Sequence, residues 1–294
     1  MAQASTAVPR REEHFGSTDR RDAWWLAPAA VFVGLMIFVV YSTVTGLLGN
    51  YFEIRANTQD FTAPNNHVVA PYISPFYSPL IYDAQSPHAW IQRAWLPFSA
   101  AIPILWAPAF FRFTCYYYRK AYYRAFWADP PACVVGEPRK SYWGENRLPL
   151  ILQNSHRYFM YIASILLIIL WIDALKAFFW PTRASGEYLG AHHSVFGMGL
   201  GTLIMLANVI LLTGFTLGCN SVRHLLGGRL NCFNCTRDGR YTPNKRASYY
   251  AWLFSARFNL HHMTWAWLSL FSVGFTDLYI RLCAMGVWHD PRFF

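Results

Sequence analysis

The side chains able to bind metal or carry electrons gather at a few points of the chain. Cys232-Phe-Asn-Cys235 holds two thiols at Cys-x-x-Cys spacing, which lets a tight turn aim both at one metal. Cys219 and His224 lie just before that turn, and Cys115, His156 and His261-His262 stand at the ends of apolar stretches. Three metal chemistries fit such donors. A haem b takes two histidines from facing helices and no thiol. A [2Fe-2S] cluster of the Rieske type takes two cysteines on one iron and two histidines on the other, and neutral imidazole raises its potential. Zinc on Cys232, Cys235 and two histidines would staple a loop without redox work. The Cys-x-His and Cys-x-x-His pairs of soluble Rieske proteins are absent, so a cluster here would be a variant site.

The segments that must position these groups are apolar and long. Of 294 residues, 54% are hydrophobic and 14% charged, against about 25% charged in soluble domains. Trp24–Leu48, Ala94–Phe111, Tyr188–Val222 and Phe258–Thr276 contain no Asp, Glu, Lys or Arg, and Tyr158–Ile172 is a fifth such run. A bilayer span needs about 20 mostly apolar residues. The expected fold is therefore an all-α, polytopic bundle of five transmembrane helices, over about 24–48, 94–118, 156–180, 192–219 and 258–282. A soluble enzyme, a disordered chain and a DNA-binding protein are excluded. The first run is too long for a signal-peptide core and lacks a small-residue cleavage site, so it is read as a retained span. Residues 1–22 read as a loose polar tail ahead of a membrane domain covering 23–294.

Charge sets the orientation. Eighteen Lys and Arg precede span one or lie between spans two and three and spans four and five; six lie on the other side, and Arg112 stays within span two. Positive charge is retained inside, so the N-terminus is expected in the cytoplasm and the C-terminus outside, with cytoplasmic loops at 119–155 and 223–257. The same asymmetry accounts for the net charge of +10 without nucleic acid. Five of the six cysteines then face the reducing side, which argues against a disulfide framework.

Smaller features complete the reading. The outer segment 49–89, with Ser74-Pro-Phe-Tyr-Ser-Pro79, reads as an ordered surface element. Span two carries Pro97, Pro103 and Pro108 and should kink. Gly197-Met-Gly-Leu-Gly201 suits close helix approach. Asp277 and Arg281 can pair at i,i+4 spacing. No internal repeat is evident. The bland alternatives are that lone thiols such as Cys115 and Cys283 are small hydrophobes, that His192 and His193 are interfacial, and that His67, His88 and His289 lack a partner cluster. His261 and His262 point about 100° apart on a helix, so one at most faces a given site.

Thr114-Cys-Tyr-Tyr-Tyr-Arg-Lys-Ala-Tyr-Tyr-Arg124, Pro130-Pro-Ala-Cys133, Asn154-Ser-His-Arg157, Gly218-Cys-Asn-Ser-Val-Arg-His224 and Asp277-Leu-Tyr-Ile-Arg-Leu-Cys283, with the Ser74–Pro79 phrase, occur in this order. Together they resemble the membrane-anchor subunit of mycobacterial and actinobacterial succinate dehydrogenase, over roughly residues 24–290. The resemblance implies a respiratory complex II in the bacterial cytoplasmic membrane. In it a flavoprotein oxidises succinate, an iron–sulfur protein relays electrons, and this chain anchors both and reduces a quinone, with menaquinone expected. It also implies a membrane-embedded Rieske-type [2Fe-2S] cluster in place of haem.

The residues expected to hold that cluster are Cys232 and Cys235 on one iron and His224 and His262 on the other, with His156, Cys219 and Cys115 in reserve. A cluster deep in the bilayer would favour Cys115 and Cys219 over the loop pair. Arg223, Ser221, Arg157 and Tyr117 are the expected donors to quinone, because charge-assisted hydrogen bonds stabilise a reduced headgroup. The alternatives are a haem b anchor of the same enzyme class, for which span one and the core of span two offer no histidine, a non-redox transporter, for which central ionisable groups are few, and a purely structural anchor.

Overall fold

The computed structural model describes residues 14–54, 71–83, 89–91, 99–138, 148–181, 183–184, 187–188, 194–229, 233 and 243–294. Long charge-free runs become helices because only internal hydrogen bonding satisfies the backbone in hydrocarbon. Among the described residues the helices are α1 (Leu26–Leu48), α2 (Ile102–Phe113), α3 (Tyr116–Trp127), α4 (Leu148–Lys176), α5 (Leu200–Leu217), α6 (Asn220–Leu226), α7 (Pro243–Asn259) and α8 (His262–Ala284), of which α3, α6 and α7 are charged. Strands β1 (Phe179–Pro181) and β4 (Ser194–Phe196) pair antiparallel, as do β2 (Arg183–Ala184) and β3 (Glu187–Tyr188). The expected all-α chain thus carries two small hairpin ladders between α4 and α5.

Leu26–Leu48, Ile151–Lys176 and Leu200–Leu217 are long and apolar enough to cross a membrane. α8 has the length, 23 residues, but includes Asp277 and Arg281. α2 has only 12 residues, with Pro108 inside it. It stops because Cys115 adopts an extended backbone (φ −65°, ψ 130°) and caps the separate helix α3. The stretch expected to run helically to 118 is therefore broken at Thr114–Cys115. The two connections expected as cytoplasmic loops hold α3 and α7.

The chain divides into two compact units, Met1–Ile37 with Phe113–Asn154, and Phe38–Arg112 with Ser155–Phe294. In the first, residues 14–22 are docked, where a loose tail was expected. Gly16 N donates to Gly136 O at 3.0 Å, Gly136 N to Ser17 O at 2.8 Å, and Thr18 Oγ1 to Val134 O at 2.7 Å. A Cβ on Gly136 would overlap the His14 carbonyl, so only glycine permits this approach. Arg20 pairs with Asp22 and holds its exposed carboxyl below the usual carboxylate range.

The second unit is built on α5 against α8, with α4 alongside. Its main core joins Ala174, Ala177, Trp180, Met205, Val209, Tyr279 and Ile280. The segment Tyr72–Tyr82 is ordered as expected but buried rather than superficial: Tyr72, Phe76 and Tyr77 are at most 2% exposed. Ser74 caps a single 3-10 turn, Pro75–Tyr77. Its rings form a second core with Phe52, Leu80 and Tyr82, against which Phe38, Tyr41, Leu105 and Val273 pack. The glycines at 199 and 201 make room for it. A Cβ on Gly201 would overlap the Tyr72 ring, and one on Gly199 the Asp290 carboxylate. They admit this plug, not a neighbouring helix.

Candidate functional site

Two groups of polar side chains lie in the second unit. The first surrounds the plug. Arg281 Nε donates to Asp277 Oδ2 at 2.8 Å, and its other nitrogens donate to the carbonyls of Thr45 and Asn50. Asp277 also accepts from Tyr41 at 2.6 Å and from Ser74. Nearby, Asp290 accepts from Tyr72 (2.8 Å), Tyr279 (2.6 Å) and Gly201 N (2.7 Å). Burial, and then the Asp290 charge, pushes the Tyr72 phenol upward, so it stays a donor. Asp277 is fully buried and Arg281 nearly so. These bonds fix structure, and they supply the hydrogen bonding that a buried ion pair requires. The Asp277–Arg281 pairing was legible from spacing.

The second group lies where α5 ends. Ser255 and Asn259 of α7 donate to the carbonyls of Leu217 and Gly218, both at 2.6 Å, which satisfies the open end of α5. The chain then turns through Cys219 in extended conformation (φ −68°, ψ 134°) into α6. Its thiol, 3% exposed, lies 3.2 Å from Nε2 of His156, which is 7% exposed on α4. A Cβ on Gly218 would stand 3.0 Å from His262 Nδ1, so the imidazole at the start of α8 packs against the residue beside this thiol. The two histidines are set alike. His156 stacks on Phe111 (4.8 Å, 12°) and His262 on Phe215 (5.0 Å, 10°), and the two phenylalanines meet edge to face at 5.6 Å. Arg112 lies 4.6 Å over Phe215 and donates to Ala266 O (3.1 Å) and Ser269 Oγ (2.9 Å).

The expected ligands fare unequally. Cys232 and Cys235 lie outside the described residues, as do His67, His88, His192 and His193. His224 is exposed on α6, and His262 is half-buried. Two of the reserves, His156 and Cys219, are brought together. Cys115 belongs to the first unit, where it is buried. Among the described residues no three His, Cys, Asp or Glu side chains converge as a ready-made metal cage. What the fold does bring together is two imidazoles and one thiol, with apolar rings behind the imidazoles.

One signal in the sequence was overlooked. Phe111-x3-Cys115-x3-Arg119 recurs as Phe215-x3-Cys219-x3-Arg223. Both cysteines are extended N-caps, and each carbonyl accepts the Arg N–H four residues on, at 2.9 Å. The two phenylalanines of this repeat are the rings that carry the histidines.

The expected quinone donors are dispersed. Arg223 reaches Asn259 at 3.3 Å and lies over Trp252, and Ser221 is half-buried beside it. Arg157 is exposed, and Tyr117 lies half-buried in the first unit. A cavity of about 150 Å³, mostly apolar, opens instead beside Phe111, Arg112 and Phe215 and extends to Ser42, Phe76 and Ser78.

Residues 26–286 match the family described as actinobacterial succinate dehydrogenase subunit SdhC. Among solved structures, the chain is similar to one in the Mycobacterium smegmatis Sdh1 complex in the apo form. The identity is 38% and the TM-score 0.76, covering 98% of this chain and 97% of that one. No curated protein matches the chain.

Proposed function

Because the chain belongs to the actinobacterial succinate dehydrogenase SdhC family, we propose that it anchors a succinate:quinone oxidoreductase and hands electrons to quinone through a Rieske-type [2Fe-2S] cluster. It is a subunit of succinate dehydrogenase in the bacterial cytoplasmic membrane, and succinate is oxidised on a partner chain. A flavoprotein and an iron–sulfur protein dock on its basic face; the similar chain was solved within the Mycobacterium smegmatis Sdh1 complex. The five-span topology, N-terminus inside and C-terminus outside, rests on the charge asymmetry. It places the histidine end at the cytoplasmic boundary, next to the partners.

The observation that carries the cluster is the approach of His156 Nε2 to Cys219 Sγ at 3.2 Å, with His262 packed against Gly218. An imidazole meeting a thiol is the mixture of a Rieske site, and not that of a bis-histidine haem. His156 and His262 would hold one iron, and Cys219 with a second thiol the other. The loop pair Cys232 and Cys235, with His224 and His262, is the rival set. When bound, the cluster supplies one-electron transfer at a raised potential. The chain's own part is to fix both imidazoles on Phe111 and Phe215.

The test is iron analysis and EPR of the purified complex carrying Cys115→Ser/Cys219→Ser or Cys232→Ser/Cys235→Ser. Loss of the Rieske signal in the first and its retention in the second is expected. The reverse outcome assigns the loop thiols. A haem Soret band assigns the haem alternative, and the absence of both iron and haem from this chain removes the carrier role.

A further inference from the structure

α4 is longer than a bilayer is thick. It has 29 residues, and the hydrocarbon core needs about 20 at 1.5 Å each. Counting back from Lys176, exposed at the far end, brings the inner boundary to Arg157. One face is exposed along this whole length: Tyr158, Tyr161, Ile165, Ile168, Ile172 and Leu175 recur at intervals of three and four. The face is tyrosine at the inner boundary, where such rings favour the headgroup layer, and aliphatic beyond it. The chain leaving α6 is bent onto that boundary. Gly228 (φ 69°) and Arg229 (φ 59°) are both left-handed, a backbone that glycine adopts freely and arginine does not. Arg229 N donates to His224 O at 3.0 Å, and its exposed guanidinium donates from Nη2 to Tyr161 Oη at 3.1 Å. Arg157, one turn before Tyr161 and on the same face, is exposed as well. Among the described residues neither arginine meets a carboxylate. α6 is thus tied to α4 twice, through Cys219 and His156 at its start and through Arg229 and Tyr161 beyond its end.

From this arrangement, and resting on the proposed topology, we infer that Arg229, Tyr161 and Arg157 hold the phosphate of an anionic phospholipid of the inner leaflet, its acyl chains lying along Ile165–Ile172, and that this lipid fastens α6 to α4. The chemistry selects the occupant. A guanidinium offers five donors in a planar fork, and Tyr161 takes one of them, which leaves others for two phosphate oxygens. The Tyr161 hydroxyl, accepting from Arg229, keeps its own hydrogen to donate to the same phosphate. A soluble phosphate would meet the charges and leave the aliphatic stripe bare. An acidic peptide arriving from the cytoplasm would do the same. A zwitterionic lipid brings a cationic group to a place that already holds two cations, and a net-negative headgroup does not.

The test uses the intact complex in detergent and two lipids, phosphatidylglycerol and phosphatidylcholine, each carrying a photoreactive group in one acyl chain. Phosphatidylglycerol is expected to label α4 within Ile165–Ile172 several-fold more than phosphatidylcholine does, while the two label the exposed face of α1 equally. Unlabelled phosphatidylglycerol should compete at α4, and inorganic phosphate should not. Arg229→Gln is expected to lower the α4 labelling about fivefold, the scale of one basic group at an anionic surface. Arg229→Lys should recover part of it, having the charge without the fork. Tyr161→Phe, which keeps every charge, should lower it about twofold, the scale of one hydrogen bond. Phosphatidylglycerol should also raise the unfolding midpoint of the wild-type complex, as a ligand of the folded state does, and leave that of Arg229→Gln in place. Equal labelling of α4 by the two lipids, or wild-type labelling in Arg229→Gln, would overturn the site and leave a plain lipid-facing surface. Competition by inorganic phosphate would overturn the lipid as occupant. None of these readouts depends on bound iron, so a failed cluster assignment and a failed lipid site are told apart.

Discussion

The plug end and the histidine end of the second unit use polar groups in opposite ways. Around the plug, Asp277 serves Arg281, Tyr41 and Ser74 at once, and Asp290 serves Tyr72, Tyr279 and Gly201. These are acids and bases with their bonding capacity spent on one another. At the histidine end, two imidazoles are stacked on phenylalanine faces, a thiol touches one of them and Arg112 lies over one of the rings. Imidazole and thiol are good donors to soft or borderline metal and poor structural cement. A buried polar network that closes on itself is architecture; ligating atoms set among aromatic rings are equipment.

That contrast breaks if the two ends respond alike to substitution. The largest effect expected is on activity at the histidine end. Cys219→Ser should cost more than the roughly 100-fold seen when groups merely supporting a metal ligand are lost, read as quinone reduction and EPR amplitude, while assembly and thermal unfolding of the complex stay as in the wild type. Next, Asp277→Asn should cost about 3–5 kcal/mol, since it leaves Arg281 buried without its counter-charge. Thermal unfolding of the purified complex reads this loss, and complex that does assemble should keep its EPR spectrum. Gly201→Ala forces the Tyr72 ring aside and should cost about 1–3 kcal/mol by overpacking, again without spectral change. Gly218→Ala, whose Cβ would meet His262 Nδ1 at 3.0 Å, should do the reverse, shifting the g-values with a smaller stability loss. Finally, Asp22→Asn should leave unfolding unchanged, because the Arg20–Asp22 pair is solvent-exposed and such pairs contribute little.

The helices were legible because hydrocarbon imposes a simple rule on composition, and the runs at 26–48, 151–176 and 200–217 obey it. Asp277 with Arg281 was legible because the pair is local. What spacing could not convey was convergence. Cys232-x-x-Cys235 drew attention because its members are close in sequence. His156 and Cys219 are 63 residues apart, and only the packing of α4 against the end of α5 joins them. The glycines at 199 and 201 were rightly marked as a place of close approach, but their visitor came from the loop at Tyr72 and from Asp290. The break at Thr114–Cys115 was masked by an aromatic run that reads as continuous helix. The Phe-x3-Cys-x3-Arg recurrence was in plain view. Three matching positions in nine are a faint repeat until the structure shows both cysteines in one backbone conformation.

The Asp277–Arg281 pair has a bearing on biogenesis. Both residues sit on α8, one turn apart. They can therefore meet as soon as that turn winds, without help from another helix. A charged residue alone at a helix centre is unfavourable to insertion by about 2.5–3.5 kcal/mol. Paired within its own segment, the aspartate–arginine couple enters the translocon as a near-neutral dipole. α8 can thus enter the bilayer already paired and engage Tyr41, Ser74 and the carbonyls of Thr45 and Asn50 as the helices pack.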